Sequence, residues 1–102
     1  MIMNIPVIKS KVEFNELLDQ TIFETKELKD KFPKILMYKN LYDQLLSLKS
    51  ELHSHNALSK AYIYEKYTIG AIATKNFDFE NEIYAQKLIR IFGTSLRYYE
   101  LI

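Results

Sequence analysis

The only two histidines, His53 and His55, are the first residues to test for metal binding or general-base chemistry. On a helix, positions i and i+2 point roughly 200° apart, so the pair cannot share one ion there. Both fall at the expected end of a helix, where an imidazole helps to satisfy the last carbonyls. The carboxylates offer no better start. A di-metal bundle needs a Glu-x-x-His pair on each of two helices, and the chain has none. Ser47, Ser50 and Ser59 have no histidine base close in sequence, and no Gly-rich phosphate loop is present. Cysteine is absent, which removes disulfides, thiolate metal sites and thiol nucleophiles. No catalytic, cofactor-binding or metal residue is therefore assigned, and the expectation is a protein that is not an enzyme and needs no cofactor.

Chemistry of recognition is better represented. Eight tyrosines and six phenylalanines occur in 102 residues. Tyr62, Tyr64 and Tyr67 span more than half of a helix circumference, so they cannot all face one core. Some tyrosine surface is left for a protein partner, where tyrosine is a frequent anchor. Gly70, with Ala71 and Ala73, makes a patch of small residues inside an expected helix. Either a neighbouring helix packs closely there, the better-supported reading, or a partner does.

Charge excludes some partners. Fourteen basic residues face thirteen acidic ones, Arg90 and Arg97 are the only arginines, and no two basic residues are adjacent. Nucleic-acid binding leans on clustered Lys and Arg, so no nucleic-acid partner is expected. The longest apolar run, from Ile69 to Ala73, is far short of the roughly 20 residues of a membrane span. Met1 to Ile8 is apolar but interrupted by Pro6 and too short for a signal-peptide core. A cytoplasmic protein without a membrane partner is the expectation.

The elements that must position these residues are helical. Only two Gly and two Pro punctuate the chain, too few for a sheet protein with its many turns. The expected fold is all-α: an extended leader over 1–9, then one antiparallel bundle over 10–102 of four helices, or of three plus a short one. Ser10 and Glu13 form a capping box that opens a first helix running to about Lys31. Its broad face carries Phe14, Leu17, Leu18, Ile22, Thr25, Leu28 and Phe32, and Glu27 and Lys31 are spaced for an i,i+4 pair. Pro33 breaks the chain. A second helix over about 34–54 shows Tyr38, Leu41, Leu45, Leu48 and Leu52 at spacings of three and four, widened by Ile35, Tyr42 and Leu46. Asn56 or Ser59 caps a third helix over about 59–75, with Leu58, Tyr62, Ile69, Ile72 and Ala73 inward. Residues 76–81 form a loop. Asn81 caps a fourth helix whose first turn carries Glu82 and whose wide apolar face runs from Tyr84 to Tyr99.

Residues 67–78, from Tyr67-Thr68-Ile69-Gly70-Ala71-Ile72 to Asn76-Phe77-Asp78, resemble a family of small helical immunity proteins. That family protects bacteria from effectors of the type VI secretion system, in particular effectors that hydrolyse NAD and NADP. The order of elements agrees over about residues 14–95. The resemblance implies a bacterial cytoplasmic antitoxin that binds a cognate effector toxin domain and blocks its substrate cleft. The toxin it implies is an NAD(P)+ glycohydrolase or another nucleotide-directed enzyme, such as an alarmone synthetase or ADP-ribosyltransferase. Partner-binding candidates under this resemblance are Tyr64, Glu65, Tyr67, Asn76, Asp78, Glu80 and Glu82. Among them Glu65, Asp78, Glu80 and Glu82 could occupy a site that normally receives nucleotide phosphates. The alternative is a homo-oligomeric helical adaptor or structural protein, a homodimer for example, that buries the wide apolar face of the last helix against its own copy.

Overall fold

Helix α1, Lys11–Lys31, begins where the capping signal places it. The Ser10 hydroxyl accepts from the Glu13 N–H at 3.1 Å. It also donates to the Glu13 carboxylate at 3.2 Å, so that carboxylate is engaged by the hydroxyl instead of the backbone. The computed structural model describes residues 5–54, 58–78 and 80–102. Phe14, Leu18, Thr21 and Thr25 are the buried residues of α1, while Phe32, expected on the same face, is partly exposed. The expected Glu27–Lys31 pair is replaced by Asp30 paired with Lys26 at 2.8 Å and Lys29 at 3.1 Å.

Pro33 ends α1 as expected, with Phe32 at φ −124°, ψ 64°, the departure from helical geometry that a following proline imposes. A turn closed by Ile35 N–H donating to Phe32 O at 3.0 Å delays helix α2 to Leu36–Ser54. Leu41, Leu45, Leu48 and Leu52 are buried, whereas Ile35 and Leu46 are exposed and do not widen the stripe. The hairpin is antiparallel. Lys49 pairs with Asp19 at 2.7 Å, and one turn further along α2 the His53 ring meets Asn15 at 3.0 Å.

The third expected helix is two helices, α3 over Lys60–Lys66 and α4 over Ile69–Asn76. Ser59 caps α3 by accepting from Tyr62 N–H at 3.0 Å; Asn56, the other cap candidate, and His55 lie outside the described residues. The chain breaks at Tyr67, which is extended at φ −106°, ψ 131°. Gln44 of α2 holds the break open. Its Oε1 accepts from Thr68 N–H at 2.8 Å, and its Nε2 donates to Thr68 Oγ1 at 2.9 Å. A backbone donor that would otherwise continue the helix is thus satisfied from another element.

Helix α5, Ile83–Ser95, starts two residues after Asn81 because Asp78 O accepts from both Asn81 N–H and Glu82 N–H, at 3.0 and 2.8 Å. The expected cap, Asn81, instead donates its amide to Asp78 Oδ2 at 2.7 Å. The helix stops short of Tyr99, and a single 3₁₀ turn over Tyr98–Glu100 follows. α5 packs on α4 and on α1. Leu88 and Ile91 have no exposed surface, so the inner face of α5, which the adaptor alternative assigned to self-association, belongs to this chain's own core.

Residues 5–9, before α1, form an irregular strap that is tied down by both arginines. Arg90 Nη2 donates to Ile5 O at 2.9 Å and Arg97 Nη2 to Ile8 O at 3.1 Å. The two contacts follow one another in the same chain direction, Ile5 to Ile8 beside Arg90 to Arg97, so the strap runs parallel to α5. Ile8 is buried beneath it. The radius of gyration, 13.0 Å, is that of a compact globule of about 100 residues. No described helix is long and apolar enough to cross a membrane.

Candidate partner-binding surface

The break between α3 and α4 sorts the three tyrosines that had to diverge. Tyr67, released from helical geometry, turns inward and is 2% exposed. Its hydroxyl donates to Glu51 and lies 3.0 Å from Ser47 Oγ. Tyr62 lies along the same side and donates to Glu51 Oε2 at 2.6 Å. Tyr64 faces the other way, 68% exposed, its ring 6.2 Å from that of Phe92 on α5.

Glu51 anchors α3 to α2. Besides the two phenols it accepts from Lys66 Nζ at 2.7 Å. Burial pushes the Glu51 carboxyl up, but the hydrogen bonds from Lys66, Tyr62 and Tyr67 outweigh it and hold the group at about 2. The same contacts, that of Glu51 first, raise Lys66. Burial, then the bond to Glu51, pushes Tyr67 up to about 12. The cluster is a fastening and leaves no nucleophile or free base.

On the outer side, two shallow hollows share Tyr64 as their common wall. One, of about 310 Å³, is lined by Lys60, Ala61, Tyr64, Glu65 and Leu96. The other, of about 360 Å³, lies over Gly70, Ala71 and Thr74 between Tyr64 and Phe92. Gly70 sits in the first turn of α4, not mid-helix, and a Cβ there would come within 3.0 Å of Phe92 Cδ2. The packing reading of Gly70 is the one observed, and the hollow opens beside that contact.

The remaining candidates gather elsewhere. Asp78, Glu80 and Glu82 are all exposed and form an acidic corner between α4 and α5. None of the three is in an ion pair among the described residues. Asn76 is exposed, but its amide turns back to Ile72 O at 3.0 Å. Glu65 shares the first hollow with Tyr64. The seven candidates therefore fall into three groups: Tyr64 with Glu65, the acidic corner with Asn76, and Tyr67, which is internal. Along α5 the nine steps of helical rise from Ile83 to Phe92 separate the corner from Tyr64 by about 14 Å. An interface of about 800 Å² per partner is about 30 Å across, so one globular partner can span both groups.

Phe92, Leu96 and Ala61 were not singled out from the sequence. Phe92 and Leu96 belong to the apolar face of the last helix and read as core; they lie at its edge. The signal that could have located Phe92 was Gly70, because a glycine in a helix asks for a bulky neighbour. Among the described residues no group of three or more His, Asp or Glu side chains is placed to hold a metal ion.

A family model described as Tsi6 matches residues 13–96, from the first turn of α1 to the end of α5. No curated protein and no solved structure matches the chain.

Proposed function

This chain belongs to the Tsi6 family of type VI secretion immunity proteins, and we propose that it binds the toxin domain of one cognate effector and blocks that domain's active site. The toxin we infer is an NAD(P)+ glycohydrolase or another enzyme acting on nucleotides. The protein acts by occupancy and not by catalysis, in the cytoplasm of the bacterium it protects.

The single observation that carries the reading is the family match, which runs from the first turn of α1 to the end of α5. The surface supports it. Three exposed carboxylates with no cationic partner among the described residues can enter a basic cleft built for nucleotide phosphates. Tyr64, with apolar hollows on both sides, offers a rigid aromatic anchor of the kind that dominates interface energetics. The core beneath both is closely packed, so little ordering is needed on binding, which favours tight association.

Co-purification with the toxin domain encoded immediately upstream tests the reading, followed by an NAD-consumption assay of that domain with and without this protein. A one-to-one complex that stops NAD loss is the expected result. A stable complex in which the toxin consumes another nucleotide retains immunity and corrects the chemistry. Unchanged toxin activity at saturating protein rejects the proposal.

A further inference from the structure

Lys60, Ala61, Tyr64 and Glu65 lie within an arc of about 140° on α3, turned away from buried Ile63. On the helix surface they form a lozenge. Lys60 and Glu65 end one diagonal, Ala61 and Tyr64 the other, and helical rise and twist make the diagonals cross at roughly a right angle. All four are exposed. Neither Lys60 nor Glu65 is in an ion pair among the described residues.

This arrangement is complementary to itself. A two-fold axis laid along the Ala61–Tyr64 diagonal brings Lys60 of one copy onto Glu65 of the other, twice. The same rotation sets one Tyr64 against the other over the hollow of about 310 Å³ and Ala61 against Ala61, where only a methyl group limits the approach. We propose that this face of α3 pairs with its own copy and that the free protein is a weak, isologous homodimer. The charges choose the occupant. A nucleic acid or an anionic lipid surface would be repelled by the Glu65 carboxylate at the edge of the patch, whereas a second copy supplies the opposite charge at both edges. One short helix buries little area, which places the dimer at the small, transient end of interfaces, with a dissociation constant on the order of 10–100 μM. The proposal does not depend on the toxin reading.

Sedimentation velocity of the full chain from about 1 to 500 μM tests it. A reversible rise toward dimer mass is expected, weakened about tenfold or more by Tyr64→Ala. Lys60→Glu and Glu65→Lys should each weaken it, and the two together should restore it, with circular dichroism melting used to show that each variant folds. Because the chain has no cysteine, Ala61→Cys adds its only thiol, and this variant should form disulfide-linked dimer on mild oxidation far faster than Glu16→Cys. Monomer throughout the range, a double variant no better than the single ones, or equal cross-linking of the two cysteine variants would overturn the proposal. Monomer throughout, with toxin binding lost in Tyr64→Ala, would assign the patch to the toxin instead.

Discussion

Replacing each glycine by alanine separates helix propensity from packing. Gly93 lies in α5, and a Cβ added there meets nothing within 4 Å. Gly93→Ala removes backbone freedom from the unfolded chain at no steric cost, a gain of about 0.5–1 kcal/mol. Gly70→Ala gains less, because it lies in the first turn of α4. Its Cβ would also stand 3.0 Å from Phe92 Cδ2. Relieving that contact by several tenths of an ångström pushes the Phe92 ring off its rotamer, at about 0.5–1.5 kcal/mol. Gly70→Ala should therefore be neutral to about 1 kcal/mol destabilising, leaving the two variants about 0.5–2 kcal/mol apart. For a domain of this size that is a Tm difference of about 2–16 °C, measurable by circular dichroism. Phe92→Leu should remove most of the Gly70→Ala penalty in a double-mutant cycle. Equal stabilisation by both alanines, or a Gly70→Ala penalty unchanged by Phe92→Leu, would refute the close contact between α4 and α5.

Further expectations follow from the buried polar contacts and the strap. Glu51→Gln should cost about 1–2 kcal/mol at neutral pH, since two of its three donors are exposed and rehydrate. Glu51 is depressed from 4.5 to about 2, so its contribution is present above about pH 4.5 and lost as pH falls toward 2; urea midpoints of the two proteins should converge over that range. Burial outweighs the hydrogen bond with Thr25 and pushes Tyr84 up from 10.0 to about 12. The folded state thus holds that proton more tightly, and stability present below pH 10 should be lost between 10 and 12. Tyr84→Phe should flatten this alkaline loss while costing about 1 kcal/mol at neutral pH, because Thr25 keeps its 2.7 Å bond to Thr21 O. Ile8 is the buried side chain of the strap, and Ile8→Ala should lower stability by about 2 kcal/mol. A denaturant melt indistinguishable from wild type would mean that the two arginine contacts alone hold the strap.

Signals that a segment can satisfy by itself were legible in the sequence. The cap at Ser10, the break at Pro33 and the leucine stripe of α2 each depend on neighbours three or four residues away, and each stands where expected. Features requiring two distant elements were not. The α3–α4 break depends on Gln44, 24 residues away in sequence, and without that donor and acceptor the apolar pattern of 59–75 reads as one helix. Tyr67 stood among the partner candidates because three tyrosines at that spacing cannot share one core face; the break and Glu51 turn it in. That some tyrosine must face solvent was readable. That it would be Tyr64 was not, since this depends on which side of α3 the Glu51 cluster fastens down.

The two proposals meet at Tyr64 and Glu65. A face-to-face dimer covers both residues but leaves the acidic corner, about 14 Å away along α5, open. A toxin domain that needs Tyr64 must therefore draw on monomer alone, and its apparent affinity falls in proportion to the monomer fraction, tenfold when nine-tenths of the protein is paired. A toxin domain that needs only Asp78, Glu80 and Glu82 can bind both copies of an intact dimer. A weak dimer is compatible with either arrangement, because a toxin complex of ordinary nanomolar strength outweighs a self-contact of about 10–100 μM by roughly 5–7 kcal/mol. Self-association through α3 would then shield an exposed aromatic and its hollows in the free protein, a surface otherwise prone to nonspecific contacts, and would yield to the cognate partner without opposing it.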